Sequence, residues 1–210
     1  MAILFDASST GVTSAGVTAG TFSHVCSGQN RILFSAVIDQ AADTTTNVTY
    51  AGSTMTQVNK VLHTGDNYEL YLYYILSPDI GTNNVIITRT GTAGLIGYRG
   101  ASYQNVAGTD VNGTQYSSGT STIMTIVTTA DNCWAVLTAD VSAGSAAAGT
   151  NATQIEGGAF AIFDNSDVDN IPLGTFNMGY TMQSVTNNAS IISAFTPSPS
   201  VTSGLQSKYW

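Results

Sequence analysis

The chain has 210 residues, of which only 9% are charged, and 13 acidic against five basic side chains leave a formal net charge of −8. An average soluble domain is roughly 25% charged. The five basic residues (Arg31, Lys60, Arg89, Arg99 and Lys208) are scattered, which excludes the cationic footprint of nucleic-acid binding and of attachment to anionic membranes.

Thr, Ser, Asn and Gly stand where a solvated helix would carry Lys and Glu, and these residues suit strands and turns. The expected fold is all-β: an antiparallel β-sandwich of jelly-roll type with about twelve strands and little or no helix. Residues 3–6 open a short strand, and a Ser/Thr/Gly loop follows. Residues 21–26 alternate, with Phe22, His24 and Cys26 on one face. Residues 31–38 (RILFSAVI) are apolar on both faces and read as a central strand covered on each side.

Residues 46–50 and 54–58 flank a hairpin break at Ala51-Gly52-Ser53. Residues 68–76 (YELYLYYIL) give the strongest strand, with Tyr68, Leu70, Leu72, Tyr74 and Leu76 on one face and Tyr71, Tyr73 and Ile75 on the other. Pro78 and Gly81 end it. Residues 85–90 form a strand, and residues 95–106 another, in which Gly97 and Gly100 suggest a bulge or bend.

Residues 105–119 read as a long polar loop. Residues 122–129 and 133–141 read as a hairpin around Ala130-Asp131-Asn132. The small-residue stretch 142–153 is expected on the surface. Residues 158–164 form a strand and residues 164–170 an acidic turn. Residues 175–182 alternate cleanly, with Phe176, Met178, Tyr180 and Met182 inward, and residues 189–195 close the set.

The expected organisation is one sandwich domain over residues 1–195 and an extension over residues 196–210. The aromatic end Tyr209-Trp210 suggests an arm that docks on a neighbouring subunit, against the plainer reading of a disordered end. The N-terminus has no basic n-region or apolar h-region. The expectation is a chain used without Sec export, or one whose signal has been removed. The four sequons at Asn47, Asn112, Asn151 and Asn188 carry little weight in so Asn- and Thr-rich a chain.

Candidate chemistry is thin. A Ser-His-Asp arrangement needs a histidine free to move protons, and there are two histidines. His24 shares the apolar face of its strand and is expected in the core. His63 lies at a strand-to-turn exit and is expected to be exposed. No Gly-x-Ser-x-Gly elbow is present. A glycosidase needs paired carboxylates, and neither Glu69 nor Glu156 has an acidic partner nearby in sequence.

The run from Asp164 to Asp169 faintly resembles a calcium loop but lacks the sixth-position Gly and terminal Glu, so a plain acidic turn is favoured. Cys26 and Cys133 read as buried thiols, with a mutual disulfide as the alternative. Tyr68, Tyr71, Tyr73, Tyr74, Tyr98 and Tyr103 read as core aromatics, with a sugar platform as the alternative. No catalytic, cofactor-binding or metal residue is assigned, and no cofactor is expected.

Phe5-Asp6-Ala7, Phe22-Ser23-His24, Asn30-Arg31-Ile32-Leu33-Phe34, Val48-Thr49-Tyr50-Ala51-Gly52, Glu69-Leu70-Tyr71, Pro78-Asp79-Ile80-Gly81-Thr82-Asn83 and Ala101-Ser102-Tyr103 carry a resemblance. Together they resemble β-sandwich virion structural proteins of bacteriophages and viral metagenomes. The resemblance covers the first half of the chain. It implies a non-enzymatic virion component (capsid decoration or cement, head fibre, or tail-associated protein) assembled in the host cytoplasm. The implied partners are copies of the same chain and the major capsid protein or other virion subunits, with no nucleic acid and no membrane. A carbohydrate-binding or adhesion module, with a glycan as ligand, is the alternative. A hydrolase is the third and least favoured reading.

Overall fold

The computed structural model describes residues 1–41, 44–166 and 168–199 and contains fifteen strands and no helix among them. In chain order these are β1 (Leu4–Val12), β2 (Ala19–Cys26), β3 (Ile32–Asp39), β4 (Thr45–Tyr50), β5 (Ser53–Thr54), β6 (Thr56–His63), β7 (Tyr68–Leu76) and β8 (Gly81–Arg89). There follow β9 (Ile96–Gln104), β10 (Val106–Thr128), β11 (Trp134–Val141), β12 (Ala146–Ala148), β13 (Thr153–Glu156), β14 (Phe160–Asp164) and β15 (Gly174–Pro197). All pairings are antiparallel, and the architecture is a β-sandwich.

Residues 1–104 explain the first two layers. A central sheet runs β1-β9-β3-β7-β6, and a first outer sheet runs β2-β8-β4-β5. The chain crosses from sheet to sheet after β1, β2, β3, β5, β7 and β8, pairs β4 with β5 and β6 with β7 within a sheet, and returns with β9 beside β1. This is the double Greek key of a jelly roll. β5 and β6 are one strand that changes sheet at Met55, which is buried at the corner. The turn before it, Ala51-Gly52, has positive φ at both positions (50° and 84°), the geometry that suits a two-residue hairpin.

A second outer sheet covers the other face of the central one, in the order β10-β15-β11-β14-β13, with β12 pairing to β15. β3 shows why the central sheet is so apolar. Ile32, Phe34, Ala36 and Ile38 pack toward the second outer sheet with Leu70, Leu72, Trp134 and Phe195. Leu33 and Val37 pack toward the first with Tyr71, Tyr73, Val85 and Ile87. The two faces expected for β7 divide in the same way between these cores.

The second outer sheet folds over on itself. β10 and β15 pair from Val106 opposite Pro197 to Thr128 opposite Gly174, but the register jumps between Gly119 and Ser121, where β15 loops out between Thr181 and Thr186. Beyond that break Met124, Met178 and Tyr180 pack against Leu137, Phe163, Ile192 and Ala194 as a third core. A buried polar cluster sits at the bend: Ser117, Thr122 and Tyr180 donate to Asn188 Oδ1 at 2.9, 2.8 and 2.8 Å.

Four expectations about the strands need correction. The Ser/Thr/Gly stretch read as a loop after residue 6 continues β1 as far as Val12. Of residues 105–119, read as a loop, all from Val106 onward form the first half of β10. Residues 122–129 and 133–141 do not form a hairpin, because β15 lies between them. Gly97 and Gly100 make no bulge, since the β3–β9 register is unbroken; they give clearance. A Cβ at Gly97 would lie 2.5 Å from Ile38, and one at Gly100 would lie 2.5 Å from Ser9 Oγ and 3.1 Å from both His24 and Phe22. Thr196 and Pro197 belong to β15, and Ser198 O accepts from the N-terminal amine of Met1 at 2.8 Å. The docking arm expected at Tyr209-Trp210 lies outside the described residues.

Candidate functional site

Both histidines are buried, and each is built into a chain of hydrogen bonds. His24 on β2 projects between the central and first outer sheets, as expected. Its Nε2 lies 2.9 Å from Ser102 Oγ and its Nδ1 2.7 Å from Ser9 Oγ. Ser102 donates to Asp6 Oδ2 at 2.9 Å. Its oxygen therefore accepts from Nε2–H, and Nδ1 accepts from Ser9. Burial pushes the His24 imidazole down to about 4, with Asp6 opposing that shift. Burial also pushes Asp6 up, but hydrogen bonds from Ser27, Ser102 and Gln104 outweigh it and hold the carboxyl below its usual range.

His63 is the correction that matters most. The strand-to-turn context predicted exposure, and the residue is 0% exposed. It ends β6 at the edge of the central sheet and faces the end of β11 in the second outer sheet. Nδ1 lies 2.7 Å from Asp140 Oδ2, and Nε2 lies 2.9 Å from Ser142 Oγ. Asp140 and Ser142 are two residues apart, so an extended chain puts both on one side. Asp140 is the same side as Trp134 and Val136, toward the central sheet. Ser142 lies just past the strand end and is exposed.

The surroundings fix the ring. The Tyr116 ring lies 5.6 Å from the imidazole at 60°, and its hydroxyl accepts from Gly65 N at 3.1 Å. Asp66 Oδ2 stands 3.8 Å from Nε2 and is partly exposed. Burial pushes Asp140 up from its usual range, while the hydrogen bond and charge of His63 pull it down. A donor Nδ1–H to a carboxylate leaves Nε2 as the acceptor for a serine proton. Nucleophile, base and orienting acid within hydrogen-bond reach are the signature of an activated serine. Asp140 also lines a cavity of about 250 Å³ with Tyr68, Arg99, Phe160, Leu95 and Gln40.

The other candidates are structural. Asp39 forms a buried ion pair with Arg89 at 2.7 Å and also accepts from Thr44 and Thr45. Glu69 lies opposite Asp39 in register and is buried. Glu156 accepts from Ser8 Oγ at 2.7 Å. Asp164 turns inward, accepting from Tyr103 at 3.2 Å and Ser166 Oγ at 2.7 Å. Asp167 lies outside the described residues, and among the described residues no three His, Cys, Asp or Glu side chains converge as a metal-holding group. Cys26 and Cys133 are free, buried and in different cores. Of the six candidate platform tyrosines, Tyr71, Tyr73, Tyr98 and Tyr103 are buried and Tyr68 and Tyr74 half-buried.

No protein-family model, curated protein or solved structure matches this chain. Geometry and chemistry therefore carry the functional argument. Sequence reasoning missed the Ser142, His63 and Asp140 set because its members are joined only in three dimensions. The one local signal was the Asp-x-Ser spacing at the end of an apolar strand.

Proposed function

We propose that this chain is a building block of a viral particle: an all-β structural protein of capsid decoration or shell type that associates with copies of itself. The observation that carries the reading is the edge of β10, which among the described residues pairs on one side only, with β15. This strand is 23 residues long and lies at the rim of its sheet. No charged residue occurs from Val111 to Thr128.

Edge strands expose unpaired N–H and C=O groups, and free monomers blunt them with Lys, Pro or bulges. Residues 121–128 (STIMTIVT) have none of these, and their register with β15 is unbroken. Ile123 and Val127 stand 52% and 60% exposed on the outer face. Two such edges related by a twofold axis would pair antiparallel, with no like charges opposed. The resemblance to phage virion proteins falls wholly on strands β1 to β9 and their turns, which leaves β10 to β15 as the assembling part. Assembly in the host cytoplasm and contact with the major capsid protein or other virion subunits belong to this proposal. A glycan-binding reading has less support, because the tyrosine row it needs is turned inward.

Sedimentation of the purified chain tests the proposal. The wild type is expected to associate, and the double variant I123K/V127K to sediment as a monomer with an unchanged far-UV spectrum. A wild type that stays monomeric at high micromolar concentration would overturn it.

A further inference from the structure

We propose that Ser142, His63 and Asp140 form a reactive acyl-transfer site, with a small neutral carboxylic ester as substrate class. This goes beyond the assembly role and does not rest on it. The geometry meets the requirement for a serine nucleophile at each link. Asp140 fixes the imidazole tautomer through a 2.7 Å bond to Nδ1. Nε2 is 2.9 Å from Ser142 Oγ. The serine is exposed while the histidine and aspartate behind it are buried, so substrate and water meet the relay only at its serine end.

A purely mechanical clamp between two sheets would be served by any hydrogen-bonding pair. Here the order is carboxylate, imidazole, hydroxyl, with the hydroxyl outermost. The residues after Ser142, Ala143 and Gly144, form an exposed bend in which Gly144 has φ 79°. Their backbone N–H groups are the nearest in sequence that could face a developing oxyanion, because the Ser142 N–H is already bonded to Asn187 O at 3.0 Å. The groups facing the imidazole are Asp140, Asp66 and the Tyr116 ring. Two carboxylates favour the imidazolium that forms and disfavour an anionic acyl group, which selects neutral esters.

The step balances without a cofactor. Ser142 Oγ bonds to the ester carbonyl carbon as its proton passes to His63 Nε2. The tetrahedral adduct then breaks its C–O bond to the alcohol, which leaves with the proton from Nε2. Water attacks the acyl-serine, gives its proton to Nε2 and releases the carboxylic acid as Ser142 Oγ takes that proton back.

The test is mass spectrometry after treatment with a fluorophosphonate probe, together with p-nitrophenyl acetate hydrolysis. The wild type is expected to gain one label at Ser142, and S142A to lose both label and turnover while melting as the wild type does. D140N is expected to slow labelling by about 1,000-fold or more, as loss of the orienting acid does in serine triads. The monomeric I123K/V127K variant is expected to label as the wild type does, so failure of the assembly reading leaves this one standing. Labelling of Ser142 no faster than that of exposed Ser118, or ester hydrolysis that survives in S142A, would overturn the site.

Discussion

The regions around His24 and His63 use the same parts in a different order. In the first, the imidazole lies between two serines and the carboxylate of Asp6 is one hydroxyl further away. In the second, the carboxylate of Asp140 touches the ring and the serine is at the far end. The order sets the tautomer. Ser102 must accept from His24 Nε2–H because its own proton is spent on Asp6, whereas Asp140 draws Nδ1–H and leaves His63 Nε2 as a base. His24 is therefore held neutral as a cross-link between sheets, and His63 is held ready to receive a proton. The lesson is that histidine burial alone does not distinguish a strut from a base; the position of the carboxylate does.

The comparison breaks first at Asp140. D140N keeps the volume and a hydrogen bond but lets Nδ1 accept, which reverses the tautomer and makes His63 resemble His24. The expected loss in acylation rate is about 1,000 to 10,000-fold, read by probe labelling at fixed pH. A rate unchanged by D140N would mean that the two histidines do the same job.

The next largest effect is the pH dependence of stability carried by His24. Its folded value of about 4 lies below the ordinary 6.5. Above pH 6.5 both folded and unfolded chains hold it neutral, and it adds no pH dependence. As pH falls below 6.5 the unfolded chain takes up the proton first, so stability declines until the folded form protonates near 4. At about 1.4 kcal/mol per pH unit the decline amounts to about 3 kcal/mol. Asp6, whose folded value is also depressed, acts in the same direction at lower pH: its contribution is present above its ordinary value of 3.8 and is lost as pH falls further. Urea unfolding from pH 7 to 3 should therefore show a slope between 6.5 and 4 that is absent in H24Q, and a second fall below 4 that H24Q retains. An H24Q curve as steep as the wild type's between 6.5 and 4 would place the proton uptake elsewhere.

Much of the fold was legible in the sequence because its core strands carry a two-residue period. β2 alternates buried and exposed throughout, β3 is buried at every position, and β7 splits its tyrosines and leucines between two cores. The first half of β10 was not legible, because its half-buried side is built from polar residues such as Gln115 and Ser117 in place of apolar ones. Its strand character comes from pairing with β15, not from its own pattern. The hairpin expected around Asp131 failed for a related reason: β15 supplies a better apolar partner to both β10 and β11, from 46 or more residues away. The same non-locality hid the site. His63 is 77 residues from Asp140 and 79 from Ser142, and the turn after it reads as an exit to solvent. Only packing of the second outer sheet on the edge of β6 buries it.

Gly100 sharpens the His24 side of the comparison. A Cβ there would meet Ser9 Oγ at 2.5 Å, and His24 Nδ1 and Phe22 at 3.1 Å. Neither ring can retreat, since Phe22 is stacked on Tyr98 at 4.5 Å and His24 is tied at both nitrogens. G100A is expected to cost about 2 kcal/mol by overpacking, measured as a lowered urea midpoint at pH 7. Since the substitution parts Ser9 from His24, it should also shrink the slope between pH 6.5 and 4.

The smallest expected effect is at Asp66. It lies 3.8 Å from His63 Nε2 and is partly open to solvent, so its attraction for the imidazolium is screened and worth less than about 1 kcal/mol. D66N should slow labelling of Ser142 by no more than about fivefold, and added salt should remove most of that difference. Asp140, buried and in contact, should be insensitive to the same salt. A D66N defect as large as that of D140N would reverse the assignment: the exposed carboxylate would then be the orienting acid, and the buried one a strut like Asp6.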